Sequence, residues 1–396
     1  MVTGAYYPEI AGGSLQCRSL VLALRDRVRV SVLTTTADRR LPSRSDVDGV
    51  PVHRVFVDPR APATKAVALL RLLALAPTLA TGADVFHFHG FTEKMLVLFA
   101  IARLSGRRIV QKVTSVGWDD PIAIRSRPFG GWLAAGIAHA DRIVAVSPAV
   151  EERCRQAGVR ADRLRAIPNG VDVQCFAPVE RGARALLRAR LGLPRETCLV
   201  TWIGFWSREK GPHVLFDAWR LARTRAGVPT ALLFIGSTDP SHAEVDVSLV
   251  SSVKDRIAAE RLGEDVIWVE RTDEVAAYLQ ASDIFVLPSS REGMSNALLE
   301  AMATGLPCVA AAIPGVTEAV IDSGRDGFIV PPADADALSQ TLAALIGDAA
   351  RRAVVGRQAR ESAVQKFSMA TVANQYLSLY NELIGVRVKP DTTSRC

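Results

Sequence analysis

The alternation of short apolar strand candidates with alanine- and leucine-rich helical stretches constrains this chain more than any other feature of its sequence. A strand that is apolar at nearly every position has no face to give to water. Both sides of its sheet must be covered, and one helix after each strand supplies that cover. The expected product is an α/β fold of doubly wound parallel sheets made from βαβ units. In the first half, strands are expected at residues 28–34, 52–57, 84–89, 108–112, 142–146 and 164–167, and helices at 15–24, 65–75 and 94–104. In the second half the expected strands are 198–203, 231–235, 266–269, 284–287 and 308–311, with helices filling the gaps.

Around residues 169–194 the periodicity lapses into Pro168-Asn169-Gly170 and a polar, arginine-bearing stretch. A boundary is expected there, dividing the chain into lobes 1–185 and 186–368, each of ordinary domain size. A last helix, 369–385, carries Val372, Tyr376, Leu379, Tyr380 and Leu383 at helical spacing. Residues 386–396 are expected to form a flexible tail. Only Met1 to Thr3 precede Gly4 where a full first strand belongs, so either that strand is short or the start is truncated.

With 49% hydrophobic and 22% charged residues the chain can bury large cores, which excludes disorder. Its net charge of +7 favours anionic partners. No basic block interleaved with aromatics occurs, so no nucleic-acid groove is expected. The six cysteines (17, 154, 175, 198, 308 and 396) are scattered without a CxxC pair. Neither a zinc site nor a disulfide framework is expected, and the reducing cytoplasm fits best. No secretory signal is expected from the first residues. The longest apolar stretch, 66–80, contains Arg71 and Pro77 and is too short to span a bilayer.

The chemistry concentrates at residues 288–305. An apolar strand there runs into Glu292-Gly293-Met294-Ser295-Asn296 and then a helix that carries Glu300. A strand, a glycine turn and a helix start together point unpaired amides and the positive helix end at the crevice beyond the sheet, which suits an anion. With Ser295 or Asn296 as N-cap, Glu292 stays on the loop and Glu300 falls about one turn inside the helix. Two acceptor-only carboxylates then flank a cradle of donors, one able to grip sugar hydroxyls and the other ribose hydroxyls, with a diphosphate between. The plainer reading, first-turn glutamates complementing a helix dipole, applies to either residue taken alone.

The whole run from Glu292 to Glu300 resembles the E-x7-E motif of retaining glycosyltransferase family 4. Further segments match that family in order. Gly12-Gly13 resembles its N-terminal glycine loop, which approaches the donor phosphates. Val146-Ser147 with Pro168-Asn169-Gly170-Val171-Asp172 resembles the segment closing the first lobe. Lys210-Gly211 resembles the lysine loop that binds the donor diphosphate. The family's arginine after the glycine at Gly204 is replaced by Phe205, and Arg208 is the candidate to supply that cation. His87 and His89 resemble its H-x-H-G segment, with His89 expected to face the cleft. The histidine of the following strand is replaced by Val116, which leaves Asp119 as the candidate to orient an acceptor hydroxyl and Asp120 as an acceptor-side candidate. Both aspartates also fit a plain turn before Pro121.

The resemblance implies a GT-B fold: two Rossmann-like lobes, an interdomain cleft, and a C-terminal crossover helix that completes the first lobe. The implied catalytic residues are Glu292, Lys210 and Asp119. The implied donor-binding residues are Gly12, Gly13, Arg208, Lys210, Gly293, Met294, Ser295, Asn296 and Glu300. It further implies a retaining, hexosyltransferase-type enzyme of polysaccharide or glycoconjugate biosynthesis, with a nucleotide-diphosphate sugar as donor and a glycan, lipid-linked or small-molecule acceptor. Neither cofactor nor metal is expected, because lysine and helix amides neutralise the diphosphate. The helix at 65–75, with Arg71 among leucines, raises peripheral contact with the inner face of a membrane as a further expectation. The departures at Val116 and Phe205 keep open a non-catalytic nucleotide-sugar-binding subunit, and less so a nucleotide-sugar epimerase or hydrolase.

Overall fold

The computed structural model describes residues 1–386 except 10, 11, 59, 92–94, 128, 129, 241 and 243. From residue 387 on, the expected flexible tail lies outside the described residues, as does Lys94 at the start of one expected helix. The chain divides into two compact units, Met1–Gly170 with Met369–Cys396, and Val171–Ser368.

The first unit runs β1 (Val2–Thr3), α1 (Gly12–Leu24), β2 (Val32–Thr36), β3 (Arg44–Val47), β4 (Val50–Phe56), α2 (Pro62–Gly82), β5 (Val85–His89), α3 (Met95–Leu104), β6 (Arg108–Val113), α4 (Pro121–Arg125), α5 (Gly130–Ala138), β7 (Arg142–Ala145), α6 (Pro148–Gln156) and β8 (Leu164–Ala166). The sheet order is β3-β4-β2-β1-β5-β6-β7-β8, parallel except for β3. Right-handed crossovers put α2, α3, α5 and α6 on one face, and α1 on the other. The short β1 pairs on both sides, Val2 with Leu33 and with Phe88.

Two expectations change here. Residues 25–28 continue the end of α1 through hydrogen bonds from the Arg25, Arg27 and Val28 amides to the Val21 and Leu24 carbonyls, so β2 begins at Val32 and not at 28. The antiparallel edge strand β3 has no counterpart among the expected strands. Its polar Arg-Ser-Asp-Val is half exposed and lacks the apolar run that marks a buried strand.

The second unit runs α7 (Arg181–Arg190), β9 (Cys198–Ile203), α8 (Pro212–Ala226), β10 (Thr230–Ile235), α9 (Val247–Ala259), β11 (Val266–Val269), α10 (Val275–Ala281), β12 (Ile284–Leu287), α11 (Asn296–Ala303), β13 (Cys308–Ala311), β14 (Phe328–Val330), α12 (Ala335–Gly347) and α13 (Ala349–Phe367). Its six strands, ordered β11-β10-β9-β12-β13-β14, are all parallel. Alternation buries both faces. Val200, Trp202, Leu232 and Phe234 join a core with Phe216 and Trp219 of α8, while Leu199, Ala231, Leu233 and Ile235 join another with Ala281.

The boundary falls at Gly170/Val171 and not at 185/186. The Val171 amide bonds the Phe367 carbonyl, and the Arg360 guanidinium on α13 donates to the Val173 and Phe176 carbonyls. On α7, Arg184 and Arg188 reach Asp283 at 2.6 and 2.5 Å, so the whole stretch from 171 belongs to the second sheet. The final helix, α14 (Met369–Ile384), belongs to the first unit, where Val372, Tyr376 and Tyr380 pack with Leu20 and Leu24 of α1.

Candidate active site

In the second unit β9 leads leftward to β10 and β11, whereas β12 leads rightward to β13 and β14. The crevice beyond the carboxyl ends of β9 and β12 is therefore the switch point where α/β sheets bind ligands. The loops after both strands carry the residues singled out by sequence, and the structure brings Lys210, Glu292, Gly293, Met294, Ser295, Asn296 and Glu300 to this one edge.

After β9, Ser207 caps a 3₁₀ turn over Arg208–Lys210 by accepting from the Lys210 amide. Gly211 follows in the left-handed conformation (φ 67°), and a Cβ there would lie 2.4 Å from the Pro288 carbonyl oxygen. Only glycine lets the two loops approach so closely. Three contacts then staple them: the Ser290 amide to the Glu209 carbonyl (2.8 Å), Arg291 Nη2 to Glu209 Oε2 (2.5 Å), and Lys210 Nζ to Glu292 Oε1 (2.8 Å). The hydrogen bond and charge of Arg291 hold the Glu209 carboxyl below its usual range. The Trp202 indole donates to the Lys210 carbonyl (3.3 Å), so the lysine backbone is tied to the core that Trp202 helps to form.

Ser295 is the N-cap of α11 and accepts from the Leu298 amide. Glu300 lies in the second turn of that helix. Its carboxylate meets no hydrogen-bond donor among the described residues, and burial pushes its pKa up from 4.5 to about 7. Lys210 and Glu292 pair between the two loops, while Glu300 lies further along α11 with its carboxyl raised to about 7. The edge thus combines one ammonium, one carboxylate, one carboxyl near neutrality and the amide end of a helix.

Arg208 does not join this cluster as a second cation. Its Nε lies 3.2 Å from Asp246, the N-cap of α9, and the side chain is largely exposed. Phe205, where the sequence pattern called for arginine, packs its ring 5.9 Å from that of His242.

In the first unit the strand order switches between β1 and β5. Gly12 and Gly13 stand in the first turn of α1 and not in a loop, and a Cβ on Gly13 would meet nothing within 4 Å. His87 and His89 share a face of β5, their rings 4.2 Å apart, both buried. His87 Nδ1 pairs with the Tyr380 hydroxyl at 2.6 Å, whereas neither ring nitrogen of His89 has a hydrogen-bond partner among the described residues. Burial, then the charges of its neighbours, keeps His89 neutral. Lys112, opposite His89 on β6, is also buried and has its pKa brought down to about 8 by that burial.

Asp119 and Asp120 are occupied by the backbone. Asp119 accepts from the amides and hydroxyls of Thr114 and Ser115 and is 1% exposed. Asp120 caps α4, accepting from the Gly117, Ile122 and Ala123 amides, and pairs with Arg153. Neither carboxylate is open to an acceptor hydroxyl. The geometry assigns both to shaping the β6–α4 turn, since removing such buried acceptors would orphan several amides at once. Sequence inspection missed Glu209, Arg291 and Asp246, ordinary surface residues until the fold pairs them. Among the described residues no group of three or more His, Cys, Asp or Glu is placed to hold a metal ion.

Two doubly wound units, one with a lysine, a carboxylate and a helix start at its switch point, define a GT-B fold of the type used by nucleotide-sugar enzymes. Comparison with known proteins agrees. Residues 11–170 match the family model described as a glycosyl transferase 4-like domain, and residues 197–348 match that of glycosyl transferases group 1. The alpha-maltose-1-phosphate synthase of Mycolicibacterium smegmatis is 27% identical, covering 97% of this chain and 98% of its own. D-inositol 3-phosphate glycosyltransferase 1 of Catenulispora acidiphila is 30% identical, covering 92% and 88%. The crystal structure of Anabaena HepE in complex with UDP and glucose superposes with a TM-score of 0.76 at 21% identity, covering 96% of this chain and 98% of that one. The chain belongs to the group 1 glycosyltransferases of family 4, and it is a glycosyltransferase.

Proposed function

We propose that this enzyme transfers a hexosyl unit from a nucleoside-diphosphate sugar with retention of anomeric configuration, without a metal, to a glycan, lipid-linked or phosphorylated small-molecule acceptor. The observation that carries the reading is the 2.8 Å Lys210–Glu292 pair between the β9 and β12 loops, beside the start of α11. Lys210 and the amides of Gly293, Met294, Ser295 and Asn296 would hold the diphosphate and stabilise its departure, a compact ammonium serving where other transferases use a divalent ion. Glu292 would bind hydroxyls of the transferred sugar and Glu300 those of the ribose.

With Asp119 and Asp120 held by the backbone, no carboxylate of the first unit is assigned as base. The leaving phosphate itself takes the acceptor proton as the new bond forms on the face it vacates, and the protein contributes orientation and charge stabilisation. Gly12 and Gly13, at the start of α1, remain candidates for the donor phosphates, and His89, at the end of β5, remains the acceptor-side candidate. On this reading the enzyme works in the cytoplasm, in polysaccharide or glycoconjugate assembly, and at the inner membrane face when the acceptor is lipid-linked.

The test is to incubate the protein with UDP-, GDP-, ADP- and dTDP-sugars, with and without acceptor extracts and EDTA, and to follow nucleotide release and the anomeric configuration of the product. Acceptor-dependent release with a retained anomer in EDTA supports the reading. Nucleotide-sugar binding without turnover in any extract would favour a non-catalytic subunit, and an inverted anomer would sink the mechanism.

A further inference from the structure

Trp202, Trp206 and Trp219 are buried in the core of the second unit, as large aromatic side chains usually are. Trp118 is not. It is 62% exposed and stands on the loop between β6 and α4, beyond the carboxyl end of the first sheet and one strand from its switch point. That is the edge at which sheets of this kind take ligands. The loop is fixed along its whole length. Thr114 and Ser115 donate through amides and hydroxyls to the buried Asp119, and the Gly117 amide donates to the buried Asp120. Gly117 turns the chain in the left-handed conformation (φ 77°) just before the tryptophan. The Arg127 guanidinium donates to the Trp118 carbonyl and lies over one side of the indole, 5.2 Å from the ring centre. Beneath the loop, the Gln111 side-chain amide donates to the Gly90 and Lys112 carbonyls and the Gly90 amide to the Lys112 carbonyl, which ties the end of β5 to its root.

Ordering a loop so completely costs conformational entropy, and here it leaves a large apolar side chain in water. We propose that the Trp118 indole is the platform on which a pyranose ring of the acceptor stacks, so that the acceptor presents a sugar ring and not an acyclic polyol or a lipid phosphate alone. A pyranose chair offers a face of C–H hydrogens to the negative face of an aromatic ring and keeps its hydroxyls at the rim. Of the loop residues before the tryptophan, only Val116 is apolar; Thr114, Ser115 and Gly117 are not. One aromatic face among hydroxyls and amides suits a sugar, whereas a protein partner calls for a contiguous apolar patch. Calling this sugar the acceptor rests on the transfer reading above, but the stacking contact can be measured without turnover.

Saturation-transfer NMR on the full chain, with UDP, GDP, ADP and dTDP present in turn, reads the binding of methyl glycosides of glucose, galactose, mannose and N-acetylglucosamine against that of ribitol and glycerol 3-phosphate. At least one glycoside should bind, with the C–H hydrogens of one ring face most strongly saturated, and the two acyclic compounds should not. Trp118→Ala and Trp118→Leu should each weaken glycoside binding about 10- to 30-fold, the loss expected when an aromatic anchor is truncated. Trp118→Phe should retain most of it. Trp132→Ala, which removes an indole that is 86% exposed on α5 and away from the sheet edge, should leave it unchanged. Circular dichroism melts check that each variant folds, and the leucine and phenylalanine variants decide the matter if the alanine variant does not. Absence of glycoside binding, equal binding of ribitol, or unchanged binding by folded Trp118→Ala or Trp118→Leu would each overturn the proposal. Glycoside binding through Trp118 with no nucleotide release from any donor would count against the transfer reading alone. Acceptor-dependent transfer that Trp118→Ala leaves unchanged would count against the platform alone.

Discussion

Replacing Glu300 by glutamine tests how the second unit prepares its edge for a ligand. Burial raises the carboxyl from 4.5 to about 7, with no donor among the described residues to offset it. Between those values the folded protein keeps a proton that the unfolded chain has released. The group's contribution to stability is therefore fully present below pH 4.5 and is lost as the pH rises through 7. At 1.36 kcal/mol per pKa unit, the carboxylate penalises the folded state by about 3 kcal/mol at pH 8. Glutamine has the shape of the protonated acid and does not titrate. The variant should match the wild type to within about 1 kcal/mol at pH 5 and exceed its stability by about 3 kcal/mol at pH 8, measured by urea unfolding at both pH values. The same substitution should weaken nucleotide-sugar binding at pH 8, because it removes a carboxylate oxygen that accepts from ligand hydroxyls. Gained stability and lost affinity together would mark a residue retained for binding. A stability difference that stays constant from pH 5 to pH 8 would refute the reasoning.

Lys210→Ala should lower turnover about 10²- to 10³-fold, the loss seen when one preorganised group that stabilises developing charge is removed, measured by nucleotide release under saturating donor. Gly211→Ala places a Cβ 2.4 Å from the Pro288 carbonyl oxygen at a φ of 67°. It should lower stability by at least about 1–2 kcal/mol and reduce activity with it, since both loops of the site must shift; a thermal melt unchanged from wild type would contradict this. Arg188→Ala withdraws a buried guanidinium from Asp283, whose pKa burial raises but the Arg184 and Arg188 charges and the Leu199 amide bring down overall. It should destabilise the second unit by about 3–5 kcal/mol near neutral pH, with the difference shrinking as acid protonates Asp283.

The elements that could be read in advance share one property: their signal is local. The apolar runs at 198–203, 284–287 and 308–311 became β9, β12 and β13 at those bounds. The serine before Asn296 caps its helix through an amide three residues on. The polar edge strand β3 was obscured by the absence of an apolar run, although Asp48-Gly49, both at positive φ, marks its hairpin turn in the sequence. The boundary at residue 171 could not be read from periodicity, because α7 is claimed for the second unit by Asp283, far along the chain.

The sequence by itself determined that this chain would form two parallel, helix-covered sheets, and that a carboxylate, a glycine turn and a helix start would meet at the edge of the second. Periodicity and capping act over a few residues, so they survive in a one-dimensional reading. Only the tertiary structure decided that Lys210 pairs with Glu292 and Arg208 with Asp246, that Asp119 and Asp120 serve the backbone, and that Glu300 sits where its proton is held to about pH 7. Charge pairing and desolvation depend on what the fold brings within a few ångströms, and that neighbourhood is assembled from strands and loops far apart in the chain.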